Sequence, residues 1–155
     1  MKVNWKTLLI SLAIPLGVGG LATVLSGGME AYGTFRQPPL SPPGWVFPIV
    51  WTILYLLMGY ASYRVYTAEA EPADIKRALT AYGIQLGLNF LWPIVFFGCG
   101  WYWAAFVILL ALWISLYLSM HLFGIIDDTA ENLLIPYLLW VTFAGYLNLG
   151  VALLN

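Results

Sequence analysis

Three helical stripes carry the residues of this chain best suited to hold a ligand. Gln85, Asn89 and Trp92 follow the spacing i, i+4, i+7 and so share one helix face. Trp51, Tyr55, Met58 and Ser62 repeat that pattern on an earlier segment, and Trp140, Ala144 and Asn148, with Phe143 beside them, do so on a later one. An amide directed at lipid is expensive, which turns these stripes toward the interior of a bundle. Spacing alone suits a ligand pocket and plain packing equally, since a buried Asn or Gln also bonds neighbouring helices. Trp51 and Trp140 lie about two turns inside their segments, too deep for the interfacial aromatic belt that explains Trp5, Trp45, Trp101, Trp103 and Tyr137.

Other chemistry is sparse. No zinc spacing, Gly-rich phosphate loop or nucleophile–base pair occurs, so no catalytic residue, metal ligand set or cofactor is assigned. The uncharged interior also lacks the carboxylate that a proton-coupled transporter usually needs. His121, the single histidine, is read as packing, because one imidazole defines no metal site. Gly83 and Gly87 form a small-xxx-small pair, a candidate contact for a homodimer or for a neighbouring helix.

The elements that position these residues follow from composition. Of 155 residues 62% are apolar and 8% charged, against roughly 25% charged in soluble domains. The net charge of −1 excludes a basic nucleic-acid interface. Long runs without charge cover 7–29, 37–63, 78–126 and 132–155. A span needs about 20 apolar residues, so the third run holds two, divided at Gly98-Cys99-Gly100. The expectation is a single all-α membrane domain over 1–155, with five spans near 7–26, 45–66, 78–98, 101–123 and 132–154. Stretches such as Phe106-Val107-Ile108-Leu109-Leu110 do not alternate as barrel strands do. The first span is read as retained rather than cleaved, its apolar stretch being longer than that of a signal sequence.

Five spans put the N-terminus and the loops at 67–77 and 124–131 on one side. That side carries Lys2, Lys6, Arg64, Lys76 and Arg77, against Arg36 alone on the other, and is expected to be cytoplasmic for insertion into an inner membrane. Residues 27–44 form a long Pro/Gly-rich connection with aromatics, read as a lid over the bundle mouth.

The run Pro42-Pro43-Gly44-Trp45 through Trp51 and Tyr55 to Gly59-Tyr60-Ala61-Ser62-Tyr63 resembles the second-helix signature of the tryptophan-rich sensory protein family. Its animal members are the translocator protein, or peripheral benzodiazepine receptor. Gln85-Leu86-Gly87-Leu88-Asn89-Phe90-Leu91-Trp92-Pro93 and Pro136-Tyr137-Leu138-Leu139-Trp140 agree in order and spacing, so the resemblance covers essentially the whole chain. It implies a five-helix membrane protein, often a homodimer, that binds porphyrins such as protoporphyrin IX and haem, and other lipophilic ligands. By matching motif, the lining would include Trp51, Gln85, Asn89, Trp140, Phe143 and Ala144, with Tyr32 closing over the ligand. Arg36 is a candidate charge for porphyrin propionates.

The chain also departs from the family pattern. Family loops usually read Trp-Tyr near position 31 and Lys-Pro-x-Trp before the double proline; here stand Ala31-Tyr32 and Gln37-Pro38-Pro39-Leu40. The sterol motif of the last helix, a Tyr followed by a basic residue, is missing from Leu147–Leu153. The leading expectation is a receptor or sensory protein that sequesters or passes on tetrapyrroles. The alternative is a light-dependent porphyrin-degrading enzyme using Trp51 and Trp140, and a third class is a facilitator of lipophilic cargo.

Overall fold

A chain this apolar folds as helices because a helix satisfies its interior backbone N–H and C=O groups within one segment. The structure, a computed structural model, describes residues 2–155. Helix α1 spans Trp5–Ser26 and is capped by Asn4, whose side-chain oxygen accepts from the Thr7 N–H at 3.2 Å. It ends at Gly27, where φ of 85° lets the Gly28 N–H donate to the Thr23 carbonyl at 2.9 Å. Helix α2 covers Val46–Tyr66, and α3 runs Pro72–Pro93 and continues into one π turn, Ile94–Gly98. A sharp turn at Gly100 leads into α4, Tyr102–Ile126; α5 is Asp128–Leu133 and α6 is Ile135–Leu154.

Among the described residues there is no strand, and five segments are long and apolar enough to cross a bilayer: α1, α2, α3 with its π turn, α4, and α5 with α6. The protein is an all-α, multi-pass integral membrane bundle. Two spans begin earlier than the charge pattern indicates. α3 starts at Pro72, not near 78, and α5 starts at Asp128, not near 132. Charge ends the apolar stretch but not the helix. Pro72 suits a first helical turn, Asp74 lies at the positive end of the helix dipole, and Asp127 caps α5 by accepting from the Thr129 N–H at 2.9 Å.

Packing proceeds around the bundle from α1 to α2, then α5–α6, α4, α3 and back to α1. Met58, Leu112, Leu116, Phe123, Leu134 and Val141 fill the interior, while Val107, Leu110, Ile114 and Leu118 of α4 face outward. Arg64 of α2 ties to Asp127 at 2.8 Å, joining α2 to the α4–α5 junction. Burial alone would raise the Asp127 carboxyl, but bonds from the Arg64 guanidinium and the Thr129 amide outweigh it and hold it below its ordinary value.

Candidate ligand-binding site

The small residues on the inner face of α1 leave space that larger side chains would fill. Gly19, Ala22, Thr23 and Ser26 face Phe47, Pro48, Trp51 and Tyr55 of α2 and Asn89, Trp92, Pro93 and Phe97 of the third span, enclosing a cleft of about 660 Å³. Gly28 and Met29, at the start of the long connection, complete its rim. Gly19 is required here: a Cβ on it would lie 2.2 Å from the Tyr55 ring. A second hollow of about 360 Å³ lies under the connection, lined by Tyr32, Phe35, Gln37, Ala144, Leu147 and Asn148 among others. Phe47, Trp92 and Phe97 line both spaces and form the partition between them.

The π turn sets that partition. In α-geometry, at 3.6 residues per turn, a residue five positions on lies about 140° around the helix. Here the Cys99 N–H reaches back five residues to the Ile94 carbonyl at 3.0 Å, the chain widens, and both Phe96 and Phe97 meet Trp92, with ring centroids 5.1 and 5.9 Å away.

Of the residues singled out by spacing or resemblance, Trp51, Tyr55, Asn89 and Trp92 line the cleft, and Tyr32, Trp92 and Ala144 line the second hollow. Trp51 stacks on Tyr55 at 5.6 Å and meets Trp140 edge-on at 6.5 Å. Trp140 also meets Phe47 at 5.7 Å and Phe143 at 5.6 Å, so both stand behind the wall rather than in it. Gln85 is fully buried and lines neither space. Arg36 is exposed and lines neither, its backbone N–H donating to Asn155 Oδ1 at 3.1 Å and its carbonyl accepting from Asn155 Nδ2 at 2.8 Å. Gly83 and Gly87 lie on the outer face of α3 with open space before them. His121 is exposed, and among the described residues no three His, Cys, Asp or Glu side chains gather as a metal site.

The carboxamides are struts as well as lining. The Tyr55 hydroxyl donates to Asn89 Oδ1 at 3.0 Å, Asn89 Nδ2 donates to the Tyr137 oxygen at 2.5 Å, and the Tyr137 hydroxyl donates to Gln85 Oε1 at 2.7 Å. Trp92 Nε1 donates to Asn148 Oδ1 at 2.9 Å. These bonds join α2, α3 and α6. Tyr137 therefore corrects the belt reading: it is fully buried at the centre of the network, whereas Trp5, Trp45, Trp101 and Trp103 are exposed as belt residues are. Its position three before Trp140, on the same helix face, was the available signal. Gln85 Nε2 and Trp140 Nε1 are buried without an acceptor.

The connection is held down along its length. The short 3₁₀ turn Glu30–Gly33 presents Tyr32, whose hydroxyl donates to the Pro42 carbonyl and whose ring lies 5.0 Å from that of Phe47. Partial burial raises its phenol further above the ordinary value, which already leaves it a donor at neutral pH. Phe35 inserts against Phe96 at 5.5 Å and Tyr102 at 5.6 Å, and the Tyr146 hydroxyl donates to the Pro39 carbonyl at 2.6 Å. No charged side chain lines either space. Thr23 and Ser26 donate to carbonyls of α1 itself, which leaves their oxygens as acceptors. The arrangement suits an uncharged, flat, mostly apolar body whose polar groups point to the rim.

Comparison with known proteins fits this architecture. The family model described as TspO/MBR family matches residues 8–154. The tryptophan-rich protein TspO of Chlorobaculum tepidum is 36% identical over 148 residues, 96% of this chain and 94% of that protein. The tryptophan-rich sensory protein of Cereibacter sphaeroides is 36% identical over 155 residues, 100% of this chain and 95% of the relative. The translocator protein of Ovis aries is 34% identical over 140 residues, covering 86% and 80%. With a five-span bundle and a match running along nearly its whole length, the chain belongs to the TspO/MBR family.

Proposed function

We propose that the cleft binds porphyrins such as protoporphyrin IX and haem, along with other flat lipophilic molecules, and that the protein sequesters or passes them on. The observation that carries this reading is the stacked Trp51–Tyr55 pair on the wall of an uncharged cleft of about 660 Å³. Neither His121 nor Cys99 lines either space, Met29 stands at the rim and the Tyr55 hydroxyl is engaged by Asn89, so in this reading the ring faces rather than an axial iron bond hold the ligand. Iron-free protoporphyrin IX and haem should then bind alike. Titration of the detergent-solubilised protein, with Trp51→Ala alongside, tests this. Equal and Trp51-dependent quenching supports it; binding of haem alone, or binding indifferent to Trp51, refutes it.

The contact of Trp51 with Trp140 favours a second reading, in which these indoles relay electrons during light-dependent porphyrin breakdown. Illumination that yields product, lost in Trp51→Phe and Trp140→Phe, would establish it over simple binding. Movement of cargo across the bilayer is tested by porphyrin flux in reconstituted vesicles. The open face at Gly83 and Gly87 supports a homodimer, which Gly87→Leu should weaken in cross-linking experiments.

A further inference from the structure

The opposite end of the bundle holds a pocket that shares no lining residue with the cleft or with the hollow under the connection. It measures about 1000 Å³ and lies between the start of α1, the end of α2 and the junction of α4 with α5. Tyr60, Tyr63, Arg64 and Thr67 follow the spacing i, i+3, i+4, i+7 and present one face to it. Across from them the Asn4 N–H donates to the Tyr63 hydroxyl at 3.0 Å, which pins the chain before α1 and holds Lys2 and Val3 at the pocket edge. Polarity then runs in the same sense along both helices. On α2, Tyr60 lies deepest and Thr67 and Glu69 outermost, with about 10 Å between Tyr60 and Thr67 at 1.5 Å per residue. On α1, Leu8 is deep, Trp5 intermediate and Lys2 outermost. Apolar inward and charged outward is the order of an amphiphile standing upright at a membrane surface.

The charges select its headgroup. Lys2, Arg64, Glu69 and Asp127 all line the pocket. Arg64 and Asp127 cancel each other within the fold: Arg64 Nε donates to Asp127 Oδ2 at 2.8 Å, and Asp127 Oδ1 accepts from the Thr129 N–H at 2.9 Å. Arg64 Nη2 takes part in neither that bond nor the one from Nη1 to the Tyr60 hydroxyl. Lys2 and Glu69 are exposed, and among the described residues neither forms an ion pair, with the other or elsewhere. A cation and an anion that line one pocket without meeting are complemented by a group that carries both signs. Thr67 gives its proton to the Tyr63 carbonyl at 2.9 Å, which leaves its oxygen an acceptor two residues before Glu69. The Arg64 guanidinium already covers the Tyr60 ring, at 5.8 Å, and withholds that face from a quaternary ammonium. We propose that this pocket binds a phospholipid of the phosphatidylethanolamine class, with the phosphate facing Lys2 and Arg64 Nη2 and the primary ammonium donating to Glu69 and Thr67.

The test offers the purified full-length protein in detergent equal amounts of phosphatidylethanolamine, phosphatidylglycerol and phosphatidylcholine with matched chains. Native mass spectrometry reads which is retained. The wild type should retain the ethanolamine lipid about threefold over each of the others, as one exposed charged contact provides. Glu69→Lys should reverse the order in favour of phosphatidylglycerol, and Lys2→Glu should retain less of all three, both with an unchanged unfolding midpoint. Soluble phosphoethanolamine in large excess should leave the lipid in place, because it brings no chains for Leu8, Ile126 and Trp5 to hold. Equal retention of the three lipids by the wild type, an ethanolamine preference that survives Glu69→Lys, or full retention by Lys2→Glu overturns the proposal. Displacement by phosphoethanolamine also overturns it and makes the pocket a site for a soluble phosphate ester.

Discussion

Asn89→Leu separates a strut from a ligand contact. The change deletes the bond accepted from Tyr55 at 3.0 Å and the bond donated to Tyr137 at 2.5 Å. Interhelical polar bonds in membrane proteins average about 0.6 kcal/mol and reach about 1.7, so two of them amount to about 1–3 kcal/mol. The lower half of that range applies. Tyr137 still donates to Gln85, and the freed Tyr55 hydroxyl borders the cleft, where a water or ligand can accept its hydrogen bond. A loss of about 1–2 kcal/mol is expected in unfolding titrations from micelles, with a coupling of about 0.6 kcal/mol in a double-mutant cycle with Tyr137→Phe. Affinity for protoporphyrin IX should fall less than tenfold, because the amide steadies a wall. Trp51→Ala removes the wall itself, with an indole's share of apolar contact, and should cost more than tenfold. An Asn89→Leu protein as stable as wild type but devoid of porphyrin binding would refute this reasoning and make the amide a direct ligand donor.

Gly19→Ala forces the Tyr55 ring aside, because the new Cβ would stand 2.2 Å from it; a destabilisation of about 1–3 kcal/mol and a weaker porphyrin titration should follow. Asn155→Ala frees the backbone of Arg36 from two bonds, and hydrogen exchange there should rise about tenfold while the unfolding midpoint barely moves. The Asp127 carboxyl is held below its ordinary value, so its pairing stabilises the fold above that value and the gain disappears as pH falls through the lowered one. The stability difference between wild type and Arg64→Gln should thus be level from about pH 5 to 8 and shrink below about pH 4. A difference that instead widens on acidification would contradict that sign.

Much of this architecture is written in where charge is absent. Four uncharged runs and one Gly-Cys-Gly break are enough for five spans, because in lipid only helices or a closed barrel satisfy the backbone and these runs do not alternate as barrel strands do. The inward direction of Gln85, Asn89 and Trp92 follows from the same penalty. What those amides bond was not legible, since the partners are tyrosines on α2 and α6 that only the packing order brings near. The α1 lining was equally silent. Gly19, Ala22 and Ser26 contribute empty volume, which acquires meaning once Tyr55 and Trp51 are known to face it. Tyr137 looked interfacial because it follows Pro136 close to the start of the last apolar run, yet α5 lengthens that span at its N-terminal end and carries the tyrosine inward.

The widened turn at Ile94–Gly98 also constrains how this segment can change over generations. Shortening the stretch by one residue would let it relax to ordinary helix and swing one of the paired phenylalanines toward the acyl chains, joining the two hollows into one larger chamber. A single codon lost there would alter the size of molecule admitted more than any substitution at the same place, so length in this region should be kept more strictly than side-chain identity.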